Sequence, residues 1–293
     1  MAIVEDNPAP TNPLGVNGIE FIEYATAQPQ ALGALLQTLG FRAVARHRSR
    51  EVTLYRQGSM NLIVNAHPDD RAGGVSLPAR PALTAIALRV RDAGEAWEHA
   101  RDLGAWEIPT RASAMELNIP GIRGVGDSFI YFVDRYEHLT IYDVDFVALP
   151  DSDPHPPALA GLHYFGVVQT IFEDRTPDWI AFYQDLLGFT MLPGGKYFGV
   201  LPKGTLLESP CHTFYLQLIE PPPGIAEMSW DEKLVRIGLG APDVVAATAA
   251  LSERGVQFVD RGLVHPSEKG ALTQIYLGGV TFELVASHLQ PSA

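Results

Sequence analysis

The 293-residue chain has a single cysteine, Cys211. One thiol excludes an intramolecular disulfide and a thiolate metal cluster, and fits a reducing compartment. The first fifteen residues, MAIVEDNPAPTNPLG, have neither a basic start nor an apolar stretch. No window approaches the roughly 18 apolar residues of a membrane span. A cytoplasmic location with no membrane partner is the expectation. Cations are scarce, with 21 Lys and Arg against 34 Asp and Glu and a formal net charge of −13. That balance disfavours nucleic acid as a partner, and a small anionic ligand would need a local cation.

What the chain does have is an internal duplication. Ile86 to Ile108 (IALRVRDAGEAWEHARDLGAWEI) and Ile237 to Val259 (IGLGAPDVVAATAALSERGVQFV) read as the same strand, turn, helix and strand. Ile86/Ile237, Asp92/Asp243 and Gly104/Gly255 are each 151 residues apart, and Leu39-Gly40-Phe41 recurs as Leu187-Gly188-Phe189, 148 further on. Offsets held through helices and loops alike signal two copies of one domain. With 46% hydrophobic residues, each copy can bury its own core.

The organisation follows from composition and period. Residues 1–15, rich in Pro, Asn and Asp, read as a flexible arm, and 149–158 lie in a Pro-rich linker. The domains are then 16–148 and 159–289. Strands are expected at Gly18 to Ala25, Ala43 to Asn65 (two or three), Thr84 to Val90 and onward to Phe146, with helices at Gln28 to Leu39 and Ala93 to Leu103. The second half repeats this. Its strands fall at Tyr164 to Thr170, on to Glu220, at Val235 to Leu239 and at Thr273 to Val285, and its helices at Pro177 to Leu187 and Ala241 to Arg254. The fold class is α+β, four βαβββ modules in two pairs.

Four such modules in two pairs resemble the vicinal-oxygen-chelate superfamily, in which each pair forms a curved, barrel-like sheet around a pocket. The segments HRSREVTLYRQGSMNLIVN (from His47), MELNIPGIRGVG (from Met115) and IYDVDF (from Ile141) resemble the N-terminal domain of bacterial 4-hydroxyphenylpyruvate dioxygenases. TQIYLGGVTFELV (from Thr273), Ser209-Pro210 and WIAFYQDLLGF (from Trp179) resemble that family's catalytic domain more loosely.

The resemblance implies an Fe(II) site of two His and one Glu in the second half, open to a 2-oxo acid and dioxygen. Carried over residue by residue, the Glu falls on Glu283. The second His falls on Arg236, and the first on Gly166, or on Tyr164 if the preceding loop is two residues longer. An arginine has no lone pair to give a metal. Ile219 stands where the family has a substrate-facing Asn and Gly204 where a Ser is usual, whereas Gln274 matches a substrate-facing Gln. Gln217 occupies the fourth-strand position that related epimerases and glyoxalases use as a metal ligand.

The expected site is therefore Glu283 and Arg236 as catalytic pair, with Gln274, Gln217, Tyr164, Gly166 and His212 lining it and no metal ligand set. A guanidinium opposite a carboxylate can clamp a substrate carboxylate while the Glu acts as base. The plainer alternative is a buried structural ion pair. His163 is expected on the opposite strand face from Tyr164. His212 belongs to a turn, and its neighbour Cys211 is not its partner, since adjacent side chains seldom face each other. His265 and His288 carry no signal.

The first half offers Glu23, Ala85, Asp143 and Leu62 at the corresponding places and reads as a structural copy through which the chain forms a homo-oligomer. The leading functional expectation is a diverged relative whose second-half pocket binds or transforms a small carboxylate-bearing molecule, such as an aromatic 2-oxo or hydroxy acid, without iron. It would act as a metal-independent lyase or isomerase. The alternatives are a true Fe(II) dioxygenase with an unusual ligand set (His163, His212 and Glu283) and a non-catalytic binding protein.

Overall fold

The computed structural model describes residues 12–68, 77–108, 116–195, 198–200, 204–222, 230–262 and 264–287. His288 and residues 1–11 of the expected arm lie outside them. In chain order the first half runs β1 (Ile19–Ala25), α1 (Pro29–Thr38), β2 (Arg42–His47), β3 (Val52–Gln57), β4 (Met60–Asn65), β5 (Ala82–Arg89), α2 (Ala93–Asp102), β6 (Gly121–Arg123), β7 (Phe129–Val133), α3 (Ile141–Asp145) and β8 (Phe146–Ala148). The second half runs β9 (His163–Thr170), α4 (Thr176–Leu187), β10 (Thr190–Met191), β11 (Thr205–Glu208), β12 (Tyr215–Ile219), β13 (Lys233–Ala241), α5 (Val244–Glu253), β14 (Gly270–Leu272) and β15 (Phe282–Ala286).

The strands form two open sheets, ordered β6-β7-β5-β1-β4-β3-β2-β8 and β10-β11-β12-β9-β13-β15-β14. Each is built on one antiparallel pair, β1 with β5 and β9 with β13, flanked by parallel neighbours. The parallel neighbours are reached through the helices, as parallel pairing requires. Two of the four expected modules are complete. In the second and fourth, one expected strand is reduced to isolated bridges, Glu107 with Ile122 and Phe258 with Thr273. The expected strand at IYDVDF begins as α3, because Thr140 and Asp143 form a reciprocal capping box that starts a helix. The strand expected from Thr273 onward is a loop until Phe282, turned by Leu277 and Gly278 at positive φ.

Apolar spacing explains the helices. In α1, Pro29 opens the first turn and Leu32, Leu35 and Leu36 lie on one buried face. The repeat also recurs in capping, for Asp92 accepts from the Glu95 amide and Asp243 from the Ala246 amide. Asp92→Ala and Asp243→Ala are each expected to lower stability by about 1 kcal/mol, the usual value of an N-cap. Urea denaturation of each variant checks this, and a change at one site only would mean that the two caps are not equivalent.

The helices lie against one face of each sheet, and one apolar core runs through both halves, taking in Ile22, Leu62 and Ile86 with Val167, Ile237 and Leu284. Polar contacts join the halves as well. Arg254 donates from Nε and Nη2 to the Thr38 and Gln37 carbonyls at 2.9 and 2.6 Å, at the C-terminal end of α1. The proline-rich connection is fastened to the first sheet: Arg56 donates to the Pro154 carbonyl, Gly58 to that of Pro156, and the Leu159 amide to the Gln57 side chain.

Candidate functional site

The two sheets allow a strand-by-strand comparison of their inner faces, the faces turned away from α1, α2, α4 and α5. Ile22 stands opposite Ile86 in the first sheet as Val167 stands opposite Ile237 in the second. From these anchors Phe21 corresponds to Gly166, Ala85 to Arg236, Tyr131 to Glu283 and Ile63 to Gln217. In the first half all four are buried apolar or aromatic residues within one cluster, with the Phe21 and Tyr131 rings 6.0 Å apart. That face is filled with side chains.

This corrects the sequence reading of the first half. Ala85 is core as expected, but the two acids are not at the equivalent places. Glu23 is two residues along β1 and accepts from Asn65 and Thr84, and Asp143 caps α3 at the surface. Leu62 belongs to the helix-side core. A one- or two-residue slip in register moves a residue along or across a sheet, which spacing alone does not resolve.

In the second half the same face is polar. Phe282 and Leu284 enter the helix-side core, so Glu283 between them turns inward; Gln217 does so between Leu216 and Leu218, and Arg236, next to the core residue Ile237, follows a register shift after Leu234. Arg236 Nε lies 3.1 Å from Glu283 Oε2, with side-chain exposures of 10% and 5%. Burial pushes the Arg236 pKa down, and Glu283 opposes that shift. Arg236 Nη2 is buried without a hydrogen-bond partner among the described residues. Glu283 also accepts from the Val200 amide at 3.3 Å.

Gly166 lies beside Gly238, which pairs in turn with Glu283. A Cβ at Gly166 would come 2.0 Å from the Tyr215 carbonyl oxygen. The strands β9 and β12 have closed to a distance that only glycine permits.

Three aromatic rings complete the face. Phe165, Phe198 and Tyr215 form a triangle with centroid separations of 5.1, 5.0 and 4.9 Å. The Tyr215 hydroxyl donates to Glu208 at 3.1 Å, and burial with that carboxylate pushes its pKa up to about 12. Sequence reasoning missed these rings. Tyr215 was accessible through its alternation with Gln217, whereas Phe165 faces inward because β9 bulges against β13 between Tyr164 and Gly166.

Other expected residues are not brought to the site. Tyr164 lies in the shared core and donates its hydroxyl to the Asn61 carbonyl of the first half. Gln274 is exposed on the loop before β15 and donates to the Phe258 carbonyl at 3.3 Å. His212 is 73% exposed, with Nδ1 3.2 Å from Glu208 Oε2. Cys211 Sγ contacts Thr213 Oγ1 and Ser209 Oγ.

The alternative iron ligands are not assembled. His163 is buried between the Gly161 carbonyl and Ser287 Oγ, at 3.1 and 3.0 Å, and burial pushes its pKa down. With His212 out at the rim, His163, His212 and Glu283 form no cluster, and no group of three His, Cys, Asp or Glu poised for a metal occurs among the described residues. The donor set at Glu283, a carboxylate beside a cation and a glycine, does not fit Fe(II), which takes imidazole and carboxylate together.

The paired sheets with one polar inner face define a protein of the vicinal-oxygen-chelate class. Residues 10–147 match the hydroxyphenylpyruvate dioxygenase N-terminal family. The chain is 38% identical over 204 residues to 4-hydroxyphenylpyruvate dioxygenase from Pseudomonas sp. (strain P.J. 874), covering 69% of this chain and 56% of that protein. It is 34% identical over 264 residues to hemolysin VllY from Vibrio vulnificus, covering 85% and 73%. It thus belongs to the 4-hydroxyphenylpyruvate dioxygenase-like family. A mutant of 4-hydroxymandelate synthase from Streptomyces coelicolor shares the fold, with a TM-score of 0.72, 16% identity and coverage of 96% of this chain and 95% of that one. No helix among the described residues is long and apolar enough to cross a membrane.

Proposed function

We propose that the inner face of the second half binds a small carboxylate-bearing molecule through Arg236, and that the chain does so without the Fe(II) triad of its relatives. The observation that carries this reading is the buried Arg236 Nη2, whose N–H groups meet no acceptor among the described residues. A buried guanidinium with unmet donors is destabilising by a few kcal/mol, and a carboxylate satisfies a planar fork of N–H groups better than any other small group. Glu283 meets Arg236 at Nε, leaving Nη2 for a ligand. The contrast with the first half supports the assignment: where no ligand is needed, the same positions hold Phe21, Ile63, Ala85 and Tyr131.

If the protein is an enzyme, proton transfer is the chemistry Glu283 can supply next to a carboxylate held by Arg236. Glu283→Gln then separates an isomerase or lyase from a binding protein. Ligand is retained in both cases, and turnover falls only in an enzyme. The same reading has the first half serving structure and self-association.

The test begins with the purified protein. Well under one equivalent of iron is expected, with no conversion of 4-hydroxyphenylpyruvate to homogentisate, while phenylpyruvate binds in titration calorimetry. Stoichiometric iron that supports oxygen uptake with 4-hydroxyphenylpyruvate would overturn the reading.

A further inference from the structure

The chain itself covers part of this face. Phe198 is wedged against Phe165 and Tyr215, the Val200 amide donates to Glu283 Oε1, and Gly199 lies directly over that carboxylate. A Cβ at Gly199 would come 2.2 Å from Glu283 Oε1, and a Cβ at Gly270 would come 2.7 Å from the Gly199 Cα. Gly199 also has φ +70, a conformation that favours glycine. The sequence thus permits the backbone to press onto Glu283 at a residue where a side chain would prevent it.

From these contacts we infer that Phe198–Val200 is a built-in stopper and that Phe198 sets the specificity of the pocket. The Phe198 ring holds a slot for a planar ring, and the Val200 amide holds a donor position beside the Arg236–Glu283 pair. An aromatic carboxylate enters by displacing Phe198 from Phe165 and Tyr215 while its carboxylate accepts from Arg236 Nη2. A carboxylate without a ring reaches Arg236 and leaves the stopper in place. This inference rests on the carboxylate-binding reading above and adds to it the ring selectivity and the gate.

The apolar and steric terms set the direction of the effect. Phe198 competes with the ligand for one surface, so the fraction of protein with the slot vacant scales down the apparent affinity. Truncating the ring removes the competitor. Adding a methyl at Gly199 weakens the closed state through strained φ and the clash with Glu283, and leaves all three rings in place.

The test uses the whole chain with phenylpyruvate and acetate as probes. Binding is followed by calorimetry and stopped-flow fluorescence, and amide exchange in the peptide spanning 198–200 by mass spectrometry. Saturating phenylpyruvate is expected to accelerate exchange at Val200, and acetate to leave it unchanged. Phe198→Ala and Gly199→Ala are each expected to bind phenylpyruvate about tenfold faster than the parent, the range opened by removing a closed state populated about 90% of the time. Phenylpyruvate binding with Val200 exchange unchanged or slowed, and association rates equal in all three proteins, would overturn the stopper and leave the carboxylate site standing. Absence of phenylpyruvate binding in the parent and in both variants would overturn the carboxylate site together with the stopper.

Discussion

Replacing Gly166 by histidine, the residue the dioxygenase pattern implies there, is expected to unfold the second sheet and not to rebuild a metal ligand. The Cβ of any residue at 166 would stand 2.0 Å from the Tyr215 carbonyl oxygen, a backbone atom in the register between β9 and β12. A flexible side chain can move aside, but this oxygen moves only if the strand pairing moves with it. Gly166→Ala is therefore expected to cost about 3 kcal/mol, the upper end for overpacking. Gly166→His should exceed about 4 kcal/mol, in the range reserved for gross steric or electrostatic faults. The double variant Gly166→His/Arg236→His should consequently bind no stoichiometric iron. Urea unfolding and metal analysis measure both effects. An alanine variant within about 0.5 kcal/mol of the parent, the scatter of neutral surface changes, would show that β9 yields readily and that the closure is not a barrier.

Arg236→Met is expected to abolish carboxylate binding and, separately, to lower stability. The side chains of Arg236 and Glu283 are only 10% and 5% exposed, so removing the cation takes its charge from beside a buried carboxylate. Breaking such a pair from one side costs about 3–5 kcal/mol, whereas replacing both partners by neutral groups of similar size is often nearly neutral. Arg236→Met/Glu283→Gln should therefore recover most of the lost stability while recovering none of the phenylpyruvate binding. The coupling between the two residues makes their effects non-additive, which the double-mutant cycle reads directly. If Arg236→Met loses stability while its folded fraction binds phenylpyruvate with parental affinity, the guanidinium is only a structural partner of Glu283.

Much of the architecture was legible in the sequence because duplication and apolar period are local signals. The 151-residue offset of Ile86 and Ile237 foretold the equivalence that the two sheets display, and Asp92 and Asp243, equivalent in the repeat, are the two N-caps, although the second helix was expected from Ala241 and begins at Val244. Glu283 and Arg236 were expected in the second-half site from the family resemblance, and the burial of Phe282, Leu284 and Ile237 in the helix-side core agrees with their turning the other way. Side-chain alternation needs no knowledge of the partner strand.

Where the partner strand or loop decides, the sequence was silent. Tyr164 and Gly166 are two residues apart, yet the bulge at Phe165 puts the Tyr164 hydroxyl on Asn61 of the other half and the Phe165 ring on the inner face. Gln274 matched a pattern but rides an exposed loop, because the chain turns at Leu277 and Gly278 before β15 begins. Phe198 reaches Phe165 and Tyr215 from a segment with no periodicity. The sequence alone determined that this is a duplicated α+β protein with few cations, and it put forward Arg236 and Glu283 as candidates on neighbouring strands of the second half. Only the tertiary structure decided that Arg236 is buried beside Glu283, that Gly166 admits no side chain, and that Phe198 packs on Phe165 and Tyr215. Those facts depend on close approach between residues far apart in sequence, where a shift of one residue in register reverses the face a side chain occupies.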